Sequence, residues 1–350
     1  MTERATARRA ITIGTRGSDL ALTQTRDVMR RLARFWPGLE VREAIIQTTG
    51  DRRRDVSLAE LGRTADAGAP VKGVFIKELE DALATGVIDA AVHSLKDMPS
   101  ELLPGFALAA ILPRVPVEDV LITREPLPGV ADGRGPVACL PRDAVVATGS
   151  VRRACELGRL RPDLRCVDLR GNVPTRLRKL TAKQAPDAIV LARAGLQRLG
   201  FLRPDGAVDA VRLAEFDLPA LAMHLIDPDD MLPAAGQGAV AVECRADDAG
   251  TQRWLGALHD IGSAVCVAAE RAFLAGLGAG CDTPVGAHAV LVPGPEGELA
   301  RLRMRCRLFE PERERYREAE VDGAADDPAA VAAVALERLR EAADVALPTR

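Results

Sequence analysis

Apolar and polar positions alternate along the chain with two periods, one suited to buried strands and one to amphipathic helices, and together they predict a repeated strand, loop, helix order. Ala10-Ile11-Thr12-Ile13-Gly14 reads as a buried strand. The turn Thr15-Arg16-Gly17-Ser18 follows, and Ser18 is placed to cap a helix over Asp19–Phe35. A second strand is expected over 41–47. Residues 50–70 are charged, contain Gly and Ala, and lack periodicity; the stretch is too long for a simple connection and is a candidate lid. The spacing of Phe75, Leu79, Ala82 and Leu83 predicts a helix over 72–85, and a strand over 88–93 comes next. That strand runs into Ser94-Leu95-Lys96-Asp97-Met98-Pro99, so a Lys and an Asp stand at the carboxyl end of a strand, where α/β sheets bind ligands.

Near 113–116 the pattern restarts with a strand over 120–123, a Pro- and Gly-rich loop over 126–136 and a strand over 144–148. Thr148-Gly149-Ser150-Val151-Arg152-Arg153 then opens a helix to Leu160. A strand over 164–169 leads to Arg170-Gly171-Asn172-Val173-Pro174-Thr175-Arg176, ahead of another helix. One device thus occurs three times. A strand delivers a short Gly-containing turn with Arg to a helix start, where unpaired N–H groups and the helix dipole favour anions. A strand over 187–192 ends just before Ala194-Gly195-Leu196-Gln197-Arg198. The turn-rich segment 232–238 precedes a strand over 239–244 that returns the chain to its first domain. From Ile261 a helix to Leu277, a Gly-rich turn over 278–284, strands over 285–292 and 299–309, and an Ala-rich helix from Pro328 form a small α+β unit. The expected class is α/β, with domain 1 at 1–115 and 230–256, domain 2 at 116–229 and the α+β domain 3 at 257–350.

Composition narrows the function. The chain has 350 residues, enough for two or three domains with cores of their own and a cleft between them. At 47% hydrophobic and 28% charged, it is neither disordered nor collagen-like. A net charge of −3 is too near neutral to supply the electrostatic attraction on which nucleic-acid binding depends, so no nucleic-acid partner is expected. No apolar run approaches membrane-spanning length and no apolar core follows Arg4, Arg8 and Arg9, so no membrane partner and a cytoplasmic location are expected. Seven scattered cysteines without a CxxC pair, and four histidines without ligand spacing, argue against a disulfide framework or a metal site. Of the 47 basic residues only five are Lys, so Arg is abundant enough for several to fall in loops by chance.

Arg16, Arg152, Arg153, Arg170, Arg176 and Arg198 all lie at strand-to-helix turns. Singly, each is as well explained by surface solvation. As a set they favour a ligand with several negative groups, because a guanidinium presents a planar fork to carboxylate or phosphate. Lys96-Asp97 reads either as an exposed ion pair of little worth or as a carboxylate kept charged to stabilise a developing cation or accept a proton. His93 reads as a packed strand-end histidine. Cys281 follows Gly278-Ala279-Gly280, small residues that permit close approach, and is the cysteine best suited to covalent chemistry; the alternative is an inert thiol. Arg52-Arg53-Arg54 reads as a solvated cluster. Phosphate-loop, dinucleotide-binding, serine-hydrolase and zinc-protease motifs are not found.

Eight segments in order resemble the hydroxymethylbilane synthase (porphobilinogen deaminase) family: 13–22, Phe75-Ile76-Lys77-Glu78-Leu79-Glu80, 91–99, Gly149-Ser150-Val151-Arg152-Arg153, 169–176, 191–200, 232–245 and Ala279-Gly280-Cys281. The resemblance implies two domains similar to periplasmic binding proteins around a cleft, with a small third domain, acting as a monomer. It implies a dipyrromethane cofactor in thioether linkage to Cys281, and condensation of four porphobilinogens with loss of ammonia before water frees hydroxymethylbilane. Asp97 matches the family's catalytic acid/base. Lys96, Arg152, Arg153 and Arg170, with Ser150 and Thr148 less securely, match positions that hold the cofactor; Arg16, Ser18, Arg170, Arg176 and Arg198 match positions that hold substrate. Three departures stand out: an apparent insertion over 62–70, Ala279 where Gly is usual, and Pro174 where Gly is common. A carboxylate-clamping solute-binding or sensing protein would use the same Arg turns without needing Cys281 or Asp97, and a phosphate-handling transferase would use the helix starts; neither would carry a covalent pigment.

Overall fold

The computed structural model describes residues 10–47, 76–280, 283–293, 300–310 and 315–346. Among the described residues there are three sheets. The first has strands β1 (Ala10–Thr15), β2 (Glu40–Ile45), β3 (Ala90–Ser94), β4 (Phe106–Ile111) and β10 (Val240–Arg245), in the order β2-β1-β3-β10-β4. The second has β5 (Asp119–Thr123), β6 (Val145–Ala147), β7 (Arg165–Val167), β8 (Ala188–Ala192) and β9 (Ala222–Ile226), in the order β7-β6-β8-β5-β9. Both follow one plan: three parallel strands, then a strand antiparallel to both of its neighbours. The third sheet is an antiparallel meander of β11 (Val285–Val292), β12 (Arg301–Phe309), β13 (Arg315–Ala324) and β14 (Val345–Ala346).

Side-chain alternation explains how the first sheet is covered on both faces. Ala90 and Val92 of β3 join Ile11 and Ile13 under Val28 and Leu32 of helix α1 (Asp19–Phe35), along with Leu255 of helix α7 (Ala249–Gly256). Ala91 points the other way and packs with Leu79 and Leu83 of helix α2 (Lys77–Ala84). In the second sheet Leu121, Val146 and Val190 pack with Leu157 of helix α3 (Val151–Leu160). Short helices α4 (Val173–Lys179), α5 (Arg193–Arg198) and α6 (Ala210–Glu215) complete the layer. The third sheet buries Leu302, Met304 and Val321 against Phe273 of helix α8 (Ile261–Leu277) and Leu336 of helix α9 (Pro328–Glu341). Each such side chain contributes about 1.5–3 kcal/mol when removed from water.

The chain folds into two compact units, residues 1–114 with 239–264 and residues 115–238 with 265–350. The return of segment 239–244 to the first sheet is therefore observed, as β10 between β3 and β4. Within the second unit, buried polar bonds dock the third sheet on the second. Arg307 of β12 pairs with Glu156 of α3 at 2.8 Å, both buried, and Glu270 of α8 accepts from the backbone N–H of Gly236 (2.6 Å) and Ala289 (2.8 Å).

Several elements depart from the sequence reading. The strands β4, β9, β13 and β14 and the helices α5, α6 and α7 are additional to those the pattern predicts. Arg176 lies inside α4 rather than ahead of it, because Asn172 caps the helix by accepting from the Thr175 N–H at 3.0 Å. The stretch 50–70, Arg52-Arg53-Arg54 and Cys281 lie outside the described residues.

Candidate active site

In the first unit the carboxyl ends of β1 and β3 lie side by side, because those strands are parallel neighbours, and β10 begins opposite Ser94. That edge collects the expected residues. Arg16 follows β1, and Ser18 caps α1 by accepting from the Ala21 N–H at 3.4 Å. Lys96 and Asp97 occupy one 3-10 turn, Leu95–Asp97, and both are exposed. The turn is pinned from within: Leu95 is buried and its N–H donates to Ala239 O at 3.1 Å, while Met98 N–H closes back on Leu95 O at 3.0 Å. Arg16, Ser18, His93, Ser94 and Asp97 line one recess. His93 is packed, as its place in the sequence suggests, but it is also paired: its Nε2 lies 2.9 Å from Glu243 Oε2 on β10, with Glu243 wholly buried. Burial and the Glu243 charge push the nearby Glu80 carboxyl up from its ordinary value.

In the second unit the carboxyl ends of β6, β7 and β8 lie at the edge where antiparallel β5 begins, Asp119 standing opposite Ala192. Thr148 is buried just after β6, and its Oγ1 accepts from the Ser150 N–H at 3.2 Å; Ser150 then caps α3 by accepting from the Arg153 N–H at 3.4 Å. A Cβ on Gly149 would stand 2.6 Å from Leu169 O, so the ends of β6 and β7 approach this closely only because that residue has no side chain. Arg170 is half-buried with its Nε 2.8 Å from Asp168, Arg176 Nε donates to Gly171 O at 2.6 Å, and Arg198 Nη2 donates to Gly238 O at 2.6 Å.

Arg152 and Arg153 do not follow the surface-solvation alternative. Both are buried, and both are gripped by Asp119, which sequence reasoning did not single out. Asp119 accepts from Arg152 Nη2 at 2.7 Å, from Arg153 Nη2 and Nε at 2.8 and 3.1 Å, and from Gln237 Nε2 at 2.9 Å. Burial alone would push this carboxyl up; the charges and hydrogen bonds of the two guanidiniums outweigh it and hold it well below the usual carboxylate range. Arg152 Nη1 donates to Leu232 O at 2.6 Å, while Arg152 Nε is buried without a hydrogen-bond partner. The signal in the sequence was a charged residue opening the apolar run Asp119-Val120-Leu121-Ile122.

The family model described as the porphobilinogen deaminase dipyrromethane cofactor binding domain matches residues 11–253, and that of the porphobilinogen deaminase C-terminal domain matches residues 264–341. A porphobilinogen deaminase of Roseiflexus castenholzii is 41% identical over 340 residues, covering 97% of this chain and 99% of its own. One of Syntrophobacter fumaroxidans is 44% identical over 286 residues, 82% of each chain. Among solved structures, the methionine-binding protein MetQ is similar over 72% of this chain and 90% of its own, with 11% identity and a TM-score of 0.41. The two family models define an enzyme of the transferase class with a cofactor-binding domain. The chain belongs to the porphobilinogen deaminase family.

The cofactor of that domain is an oligopyrrole whose rings carry carboxylate side chains, and the residues present fit it. The buried, unpartnered Nε of Arg152, a residue in the first turn of α3, is an N–H donor in need of an acceptor.

Proposed function

We propose that the chain condenses four porphobilinogen molecules head to tail, starting from a dipyrromethane primer on Cys281, with release of ammonia and finally of hydroxymethylbilane, and that Asp97 is the catalytic acid/base. What carries this reading is the fixed turn that presents Asp97 in one recess with Arg16 and Ser18.

Loss of ammonia from an aminomethylpyrrole whose amine is protonated breaks a C–N bond, and the electron pair leaves with nitrogen as neutral NH3. The substrate is left as a cation delocalised onto its pyrrole N–H. A carboxylate fixed beside that N–H lowers the energy of the ring-delocalised cation relative to the ground state, in which the charge sits on the ammonium, so it stabilises the transition state more than the bound substrate. Asp97 supplies this charge and accepts a proton released in the condensation. The dipyrromethane, when bound, supplies the electron-rich pyrrole carbon for the new bond and makes the encounter intramolecular. Arg16, Ser18, Arg170, Arg176 and Arg198 orient the substrate's acetate and propionate groups. Lys96, Arg152, Arg153, Arg170, Ser150 and Thr148 do the same for the cofactor. The excess of guanidinium over catalytic carboxylate follows from two carboxylates on every ring.

The reading also includes a cytoplasmic monomer that takes a small-molecule substrate and neither nucleic acid nor membrane. The near-neutral charge supports the part concerning nucleic acid, and among the described residues no helix is long and apolar enough to cross a membrane. Asp97→Ala tests the central role. Because Asp97 is exposed and the turn is held by Leu95, the variant is expected to fold and to retain its thiols, while turnover falls by at least about a hundredfold. Near-normal turnover in a folded Asp97→Ala protein would remove Asp97 from this role.

A further inference from the structure

Asp119 is a fully buried carboxylate that the reaction outlined above does not use. It accepts four hydrogen bonds from three side chains that reach it from two directions. From α3 come Arg152 and Arg153, 33 and 34 residues away in the chain; from segment 232–238 comes Gln237, 118 residues away. Gln237 is itself tied to the segment leading into β5, since its Nε2 also donates to Val117 O at 2.6 Å. Val115 N–H donates to Gly238 O at 3.3 Å, and a Cβ on Gly238 would stand 2.4 Å from Val115 O. Arg152 closes the circuit by donating to Leu232 O, and Arg153 Nη1 donates to Val190 O at 3.0 Å on β8.

A guanidinium recognises a carboxylate through a planar fork, and a long unrestrained Arg side chain loses rotamer freedom when it is fixed on a ligand. Here that freedom is already gone. Each fork is locked on one side by Asp119 and on another by a backbone carbonyl, and Arg152 Nε is left buried without a partner on a side chain already fixed in place.

We propose that Asp119 is a positioning residue: it preorganises Arg152 and Arg153 for the carboxylates of the cofactor and, through Gln237, ties their placement to segments 115–119 and 232–238. This rests on the assignment of the two arginines to the cofactor.

The test reads cofactor loading rather than turnover alone. Cofactor-free wild type, Asp119→Asn, Gln237→Leu and Arg152→Gln are each incubated with porphobilinogen, and the fraction that gains the mass of two linked pyrroles is followed in time beside the melting temperature. Asp119→Asn keeps the shape of the side chain but loses its charge. Folded Asp119→Asn is expected to load at least tenfold more slowly, and its loaded fraction to show a raised KM with kcat within about twofold of wild type. Loading of folded Asp119→Asn at the wild-type rate overturns the inference, as does a loss of kcat at unchanged loading and KM. If Asp119→Asn does not accumulate folded, Gln237→Leu decides: it leaves the carboxylate and both guanidiniums but removes the tie, and at least threefold slower loading is expected, with wild-type loading overturning the inference. Wild-type loading by Arg152→Gln would instead overturn the assignment of the arginines on which the inference rests.

Discussion

Two kinds of arginine occur among those proposed to bind carboxylates, and their surroundings predict different consequences of losing them. Arg170 is half-buried, and its partner Asp168 is more than half exposed, so the pair is well hydrated and worth at most about 1 kcal/mol. Arg170→Gln should therefore leave the urea midpoint almost unchanged while raising KM or slowing loading. Arg152 is different, because removing it leaves part of a fully buried carboxylate uncompensated. Arg152→Gln should cost about 3 kcal/mol in the same urea titration, in addition to impaired loading. Equal stability of the two variants would contradict this distinction. The sequence points to these arginines through their position at helix starts, a local pattern. Asp119 escapes it because its partners are distant in the chain and its one local signal, a charge opening an apolar run, is shared by exposed strand-end Asp residues. Glu243 escapes for a similar reason: it meets His93 only because β10 lies antiparallel beside β3.

The helices and strands legible in the sequence are those whose apolar pattern faces a core. Helix α1 and helix α8 are legible to the residue, since Val28 and Leu32 in the one and Phe273 in the other recur at helical spacing. Strand β13 is not, because among its ten residues only Val321 is buried. Charge complementarity with β12 marks it instead: Arg307 bonds Glu318 at 2.8 Å and Arg303 bonds Asp322 at 2.9 Å across the ladder. Such pairing is visible only once the register is known. The turns that carry the Arg residues depend on glycine. Gly149→Ala would set a Cβ against the Leu169 carbonyl, a backbone atom that cannot swing aside, so it should lower stability by about 1–3 kcal/mol and slow loading through displacement of Ser150 and α3. A Gly149→Ala protein with wild-type melting temperature and loading would show that this close approach does not matter.

Across both units, acid acts first on carboxylates held in ionised form. Asp119 is a buried case, since its carboxyl lies below the ordinary value of about 3.9 when folded. Its contribution is thus fully present above about pH 4 and is lost as pH falls further toward the folded value. Urea midpoints measured from pH 6 to pH 3 should fall below about pH 4 in wild type and more shallowly in Asp119→Asn; parallel slopes would contradict the assignment of that charge. The thiols are sorted by burial in the same way. Burial pushes Cys244 up to about 11 and Cys306 up to about 12, and Cys155 and Cys266 are also buried, so none of these four is suited to covalent attachment at neutral pH. The most direct test concerns Cys281, by intact mass of wild type and Cys281→Ser after exposure to porphobilinogen. Wild type should exceed its sequence mass by two linked pyrroles, with the excess on the peptide containing Cys281, and the variant should show sequence mass alone. Fully active wild type at bare sequence mass would contradict the account.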